Sequence, residues 1–232
     1  MDYSNSNPFF KDVFLEFDWT KSLIPSISNK PPAQEITQMI DAFTKQNITL
    51  HVDTGELGGG EELPAKEFVS YADIIDLYWD YFLHNDLNNP RQRIFRYGII
   101  CDHTEGTGFA VVGWNHLNSF VIGAQFLTEK YPNYGRERMM VTSAMHEVGH
   151  TFGLIVTKYN GIDNHVAMNP LYKEYWIYSR YKSMLNYAYT FSMMDFSDGS
   201  HGPGDYDDWG NLDFSFFKNT RFEYPILQRV AS

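Results

Sequence analysis

Two histidines and a glutamate stand in the pattern His146-Glu147-Val148-Gly149-His150. Residues four apart on an α-helix project from one face, so the two imidazoles can reach one cation. Glu147 lies beside that face, where it can take a proton from a water held by zinc, whose pKa the metal lowers to about 7. The pattern therefore predicts zinc-dependent hydrolysis of peptide bonds, with His146 and His150 as ligands and Glu147 as the catalytic base.

The segment that carries this pattern has the periodicity of an amphipathic helix. His146 and Val148 lie about 200° apart around the helix axis, so the imidazoles are expected to point away from the apolar stripe and toward a cleft. Gly153 can adopt a positive φ, end the helix and turn the chain back toward the metal. The apolar residues at helical spacing are Val141, Ala144, Met145, Val148 and Phe152.

These residues resemble the signature of the metzincin zinc peptidases, HExxHxxGxxH or the same pattern with Asp at the end. His146, Glu147, His150 and Gly153 match it, whereas the last position falls on Val156, which cannot bind zinc. The resemblance implies a zincin-like α+β fold. In such a fold a twisted mixed β-sheet and the active-site helix form an N-terminal lobe, and the C-terminal lobe is irregular.

A catalytic zinc normally has three protein ligands and a water, so a third ligand is needed. Asp163 and His165 follow in a loop that could fold back toward the helix. Asp163 is narrowly favoured because the resemblance tolerates Asp as third ligand, although His is the commoner zinc donor. Asp163 could instead only cap its turn. Glu174 and His201 are further alternatives without a local sequence signal.

A second resemblance lies in the stretch from Ser183 to Tyr187. Metzincins place a tight turn containing Met beneath the metal, and some follow it with a Tyr. In this register Leu185 occupies the Met position and Met184 comes one residue early. Leu is a nearly volume-conserving replacement for Met, so an apolar floor beneath the metal is expected. Tyr187 is the candidate to donate a hydrogen bond to the oxyanion that develops during hydrolysis.

The resemblance extends to a group of secreted or cell-surface zincin-like peptidases of prokaryotes and fungi. It rests on the stretches 11–19, 48–53, 58–60 and 195–199. The chain start has none of the features of a secretory signal. The abrupt beginning before Val13 favours a trimmed extracellular or cell-surface protein, with a cytoplasmic protein as the alternative.

Composition is typical of one compact enzyme domain. The 232 residues are 43% hydrophobic and 17% aromatic, which is ample for a core. The formal charge of -11 without basic clusters argues against binding to nucleic acid. The expected partner is a peptide or protein substrate, because the histidine-glutamate pattern predicts hydrolysis of peptide bonds. Cys101 has no second cysteine to pair with and reads as a small apolar group in a strand. No segment has the length and apolar character of a membrane span.

The first half of the chain alternates strand and helix patterns. Strands are predicted at 13–17, 48–52, 94–101, 109–113 and 120–126, with a turn at 115–118 between the last two. Apolar spacing predicts helices over 36–43 and 74–82. The first two strands and the helix between them form a predicted βαβ unit, and the last strands are candidates for an edge that holds an extended peptide.

Beyond Gly153 the chain has short aromatic stretches and turn residues instead of sustained periodicity. We expect one catalytic domain over 1–232, with an N-terminal lobe over 1–153, a C-terminal lobe over 154–232 and the cleft between them. An acidic run interleaved with glycines could bind Ca²⁺ or could only cap turns. Its members are Asp195, Asp198, Asp205, Asp207, Asp208 and Asp213.

A different class of function is also compatible with the sequence. The chain could be a catalytically silent zincin-fold domain that binds a protein partner. Val156 and Leu185, which depart from the metzincin pattern, favour this alternative, whereas the intact Glu147 argues against it. A purely structural zinc site is disfavoured because such sites usually have four Cys or His ligands.

Overall fold

The computed structural model describes residues 11–111, 117–216 and Phe222. Its strands are β1 (Lys11–Thr20), β2 (Ile48–Asp53), β3 (Glu62–Leu63), β4 (Phe95–Cys101), β5 (Gly108–Ala110) and β6 (Ser119–Gly123). Its α-helices are α1 (Ala33–Thr44), α2 (Asp73–Leu77), α3 (Ala124–Lys130), α4 (Arg136–Thr151) and α5 (Lys173–Ile177). None of the helices in this part of the chain has the length and apolar character that a membrane span needs.

The six strands form one mixed sheet in the order β2-β1-β4-β6-β5, and the short β3 pairs with the end of β1. β1, β2, β4 and β6 run parallel, and β5 is the antiparallel edge strand beside β6. The predicted βαβ unit is confirmed, because α1 connects the parallel strands β1 and β2. Helices combined with a mixed sheet are compatible with the predicted zincin-like fold.

Hydrophobic cores cover both faces of the sheet. On one face, Leu15 and Phe17 of β1 pack with α1 and α4. The same core contains Tyr181 and Met184 from beyond Gly153, so the two predicted lobes share it. On the other face, Tyr97 of β4 packs with the segment from α2 to Leu83.

A buried ionic network fixes the glycine-rich loop after β2. Asp53 accepts hydrogen bonds from the backbone N–H groups of residues 55, 57 and 59. The Arg91 guanidinium lies between the carboxylates of Asp53 and Glu16. Burial raises the pKa of Glu16 to about 8, although Arg91 opposes this shift. The carboxylates of Asp53 and Glu16 are therefore engaged by their own chain.

Two element predictions are wrong in part. The strand predicted over 120–126 ends at Gly123, and Phe126 lies in α3. The helix predicted over 74–82 is α-helical only to Leu77 and continues as a π-helical turn, closed by a hydrogen bond from Leu83 N to Tyr78 O of 2.9 Å. β5 ends at Ala110, and positions 112–116, which contain the end of the predicted strand and the first half of the predicted turn, lie outside the described residues.

Candidate metal centre

The helix that carries the two histidines is more deeply buried than the sequence indicates. Every residue of α4 from Met139 to Thr151 is buried, so the histidine face of the predicted amphipathic helix is covered as well as its apolar stripe. His146 retains 3% of its surface, and Glu147 and His150 retain 8% each. Segments from beyond Gly153 contribute to this cover, with the Met184 carbonyl at the His146 ring. His146 and Glu147 line a narrow cleft, as the sequence predicts.

Backbone carbonyl groups orient both imidazoles. Nδ1 of His146 lies 2.9 Å from the carbonyl oxygen of Met184, and Nδ1 of His150 lies 2.6 Å from that of Leu154. A carbonyl oxygen can only accept a hydrogen bond, so each Nδ1 carries a proton. The other nitrogen, Nε2, is then the one that can present a lone pair. Histidines that bind metals are held in this way in other proteins.

The two Nε2 atoms converge on one carboxylate. Asp163 Oδ1 lies 2.9 Å from Nε2 of His146, and Asp163 Oδ2 lies 3.4 Å from Nε2 of His150. Burial alone would raise the pKa of Asp163, but the hydrogen bonds and charges of the two imidazoles hold it well below its usual range. For His150, burial has the opposite effect and lowers the pKa. The hydrogen bond and charge of Asp163 and the charge of Glu147 outweigh burial and raise the pKa of His150 to about 9. Two imidazole nitrogens and a carboxylate facing one another are a donor set that suits zinc.

Asp163 reaches this position through an unusual backbone conformation. Its φ is 55°, in the left-handed region, which Asp and Asn tolerate better than most residues. Its N–H donates to the carbonyl oxygen of Leu185 over 3.0 Å. A sparsely populated conformation held by a distant contact is typical of functional sites.

Gly153 links the end of α4 to the orientation of His150. Its φ of 78° confirms the expected positive value, and α4 ends at Thr151. The turn carries the Leu154 carbonyl to the His150 ring, while Leu154 N donates to Gly149 O over 3.2 Å. A Cβ at residue 153 would lie 2.8 Å from a ring carbon of Phe216. Glycine is therefore required here for both conformation and space.

Three residues of the turn over 183–187 contact the candidate centre. The Met184 carbonyl accepts from His146, and the Leu185 carbonyl accepts from Asp163 N. The Leu185 side chain is buried and packs against Gly149 of α4. The Tyr187 ring stacks parallel to His146 with 5.5 Å between ring centroids. Burial raises the pKa of Tyr187, and the nearby carboxylates of Asp163 and Glu147 raise it further. Leu185 is thus an apolar side chain packed against the histidine helix, and its place beneath a metal stays a prediction.

Glu147 faces the edge of the sheet. Burial raises its pKa, against the opposing effect of the two histidines. A Cβ on Gly108 would lie 3.5 Å from Glu147 Oε1, so this carboxylate approaches the backbone of the edge strand β5. Thr107 and Gly108 line the same cleft as His146 and Glu147. The acidic side chain therefore lies between the histidine pair and the edge strand β5.

The other sequence candidates lie elsewhere. His165 is exposed and its ring lies 4.5 Å from that of Tyr187, on the wall of the cleft. Glu174 belongs to α5, and His201 pairs with Asp205 over 2.8 Å. Val156 is 49% exposed. The structure thus brings Asp163, and not these residues, between the two Nε2 atoms.

Ca²⁺ binding by the acidic run is not supported. Asp208 is buried and accepts hydrogen bonds from Tyr181 and from the backbone of Ser197. Asp205 accepts from Ser197 and His201. Asp198, His201 and Asp205 do lie close together, but these contacts account for the cluster without a cation. The run acts mainly in capping turns.

Sequence reasoning missed the two groups that orient the histidines. Met184 and Leu154 act through backbone carbonyl oxygens, which every residue type has. No side-chain signal could have identified them. It also missed Ser143 and Lys130, which line the cleft. Ser143 had a signal, since it lies one helical turn before His146 and Glu147.

No protein-family model and no curated protein sequence matches this chain. Among solved structures, it is similar to the crystal structure of archaemetzincin from Methanopyrus kandleri, at 15% sequence identity and a TM-score of 0.35. The similarity covers 62% of this chain and 74% of that chain. So loose a superposition carries nothing over to this chain, and the secreted or cell-surface location and the prokaryotic and fungal group stay predictions. The contacts among His146, His150 and Asp163 are therefore what supports a metal centre.

Proposed function

We propose that this chain is a zinc-dependent metalloendopeptidase in which His146, His150 and Asp163 hold the metal. The observation that carries the proposal is the convergence of two Nε2 atoms on one carboxylate, with each Nδ1 fixed by a backbone carbonyl. Three donors leave a fourth position for water or substrate, which is typical of catalytic rather than structural zinc. Zinc bound there would lower the pKa of a water to about 7 and polarise a carbonyl.

The chain's own residues supply the remaining chemistry. Glu147 accepts the proton of the attacking water and passes it to the leaving amine, a role supported by its place between the histidines and β5. Tyr187 donates its phenol proton in a hydrogen bond to the developing oxyanion, a role supported by the stacking of its ring on His146. We further propose that residues on both sides of Gly153 form one catalytic unit, because both contribute to the centre.

The substrate of this proposed reaction is an extended polypeptide. Among the described residues β5 is the last strand of the sheet, so its outer edge is a candidate to pair with an added strand. Gly108 of β5 has no side chain and lies beside Glu147. A peptide that adds to this edge would bring its backbone carbonyl next to the candidate centre.

Metal content and cleavage test the proposal together. We expect about one zinc per chain by elemental analysis and cleavage of a denatured protein. A chelator should abolish both, because the three ligands would then hold no cation, and added zinc should restore them. A zinc-loaded chain that cuts no denatured protein would leave the alternative of a silent binding domain.

The role of Tyr187 is tested by Tyr187→Phe. This change keeps the ring that stacks on His146 and removes only the hydroxyl. We expect kcat for peptide cleavage to fall by about 10²-fold with KM nearly unchanged, as for the loss of one oxyanion donor. Tyr172→Phe, at an exposed site outside the cleft, is the control. Equal kcat in the two variants would remove Tyr187 from the mechanism.

A further inference from the structure

The cleft at the candidate metal centre continues into a second groove. Tyr131, Met168, Tyr187 and Phe191 line both spaces, so the two are contiguous. We call the second space the tyrosine groove. Its wall is completed by Tyr134, Tyr175, Ala188, Tyr189 and Ser192.

The two spaces differ in size. The cleft beside His146 and Glu147 has room for about 70 Å³, whereas the tyrosine groove has about 300 Å³. A cavity of roughly 150 Å³ accommodates a benzene molecule. The groove, and not the cleft next to the histidines, therefore has the volume that an aromatic ring needs.

The lining of the groove is aromatic and uncharged. None of the described residues that form its wall is Asp, Glu, Lys, Arg or His. Phe191 packs between Tyr131 and Tyr134, with ring centroids 5.0 and 5.2 Å apart. The Tyr189 hydroxyl donates to the Ser179 carbonyl over 2.7 Å, which fixes that ring. Rings held in this way offer faces and edges to another ring at little entropic cost.

The groove is open to solvent. Tyr134 is 47% exposed and Met168 is 43% exposed. A charged side chain entering it would lose hydration, and none of the described wall residues carries a charge that could compensate. An uncharged ring would instead remove apolar surface from water on both sides. The chemistry of the wall thus selects for uncharged aromatic groups.

We propose that the tyrosine groove is a subsite for an uncharged aromatic side chain of the polypeptide substrate, close to the bond that is cleaved. This inference rests on the proposed peptidase function, because the groove is continuous with the cleft that holds Glu147. It assigns selection of the substrate to the groove and the bond-breaking step to the centre beside it.

The test uses labelled peptides that are rich in Gly and Ser and carry spaced Phe residues, with counterparts in which each Phe is Ala or Glu. The binding assays use zinc-loaded protein that carries Glu147→Gln, which should keep the metal without cutting the peptide, and binding is followed by fluorescence anisotropy. We expect the Phe peptide to bind about tenfold more tightly than the Ala peptide, and the Glu peptide to bind most weakly. In zinc-loaded parent protein, cuts in a denatured substrate should cluster near Phe, Tyr or Trp on one side of the bond.

Ala188→Trp, at an exposed position of the wall, fills the groove and should bring the Phe-to-Ala ratio of binding constants close to one. Tyr172→Ala, an exposed aromatic outside the wall, should keep the parent ratio. A parent ratio near one, or a ratio that Ala188→Trp leaves unchanged, overturns the subsite. Cleavage without aromatic preference also overturns the subsite but leaves the proposed peptidase function standing. Tight binding of the Phe peptide without cleavage by the parent keeps the subsite and overturns the peptidase function.

Discussion

Replacing Glu147 with Gln is expected to lower kcat/KM for peptide cleavage by about 10²- to 10⁴-fold, which is the usual contribution of a positioned proton acceptor. The amide has the size of the carboxyl group but cannot accept the proton. Zinc content should stay at the parent level, because Glu147 is not one of the three proposed ligands. Initial rates and elemental analysis of the same sample measure both quantities.

Glu137→Gln is the matched control for this variant. Glu137 lies in the first turn of the same helix and is exposed. It should leave both the rate and the zinc content unchanged. If Glu147→Gln cuts as fast as the parent, another group accepts the proton. If Glu147→Gln loses zinc, the glutamate is itself a ligand.

Replacing Asp163 with Asn is expected to weaken zinc binding by more than about 100-fold, since removal of even an outer partner of a ligand costs 10- to 100-fold. Asn keeps the shape of the side chain and tolerates the φ of 55°. The variant therefore removes the negative charge and one oxygen donor with little change to the backbone. Competition with a chromogenic chelator measures the affinity.

His165→Ala is the comparison that separates the two third-ligand candidates of the sequence. We expect it to retain the parent zinc affinity, because His165 is exposed and lies against Tyr187 rather than between the histidines. The opposite pattern, with zinc affinity lost in His165→Ala and kept in Asp163→Asn, would make His165 the third zinc ligand. Parent affinity in both variants would exclude both residues.

Sequence patterns predicted those elements whose spacing is regular. β1, α1, β2 and β4 lie within a few residues of their predicted bounds, because alternation and helical periodicity are local properties. The apolar run 120–126 was misread because such a run fits a buried strand or a buried helix equally well. Here Gly123 ends the strand, and the N–H groups of Gln125 and Phe126 donate to the Asp102 carbonyl in the first turn of α3.

The candidate site also has a part that the sequence predicted and a part that it did not. His146, Glu147 and His150 follow from helix geometry, so the pattern alone brings them together. The sequence favoured Asp163 over His165 only narrowly, because both lie in one loop. The choice between them depends on the left-handed conformation of Asp163 and on its hydrogen bond to Leu185. The burial of α4 was also beyond reach, since the covering segments come from more distant parts of the chain.

The groups that hold the two histidines all come from the chain after α4, namely Leu154, Asp163 and Met184. His146 and His150 therefore acquire their orientation only when this later part of the chain has folded. Metal affinity and folding are then thermodynamically linked. Free zinc at 100 times its dissociation constant would add about 2.7 kcal/mol to the free energy of unfolding. A chain deprived of zinc would accordingly spend more time unfolded, and its exposed backbone would be open to cleavage by a second protease molecule.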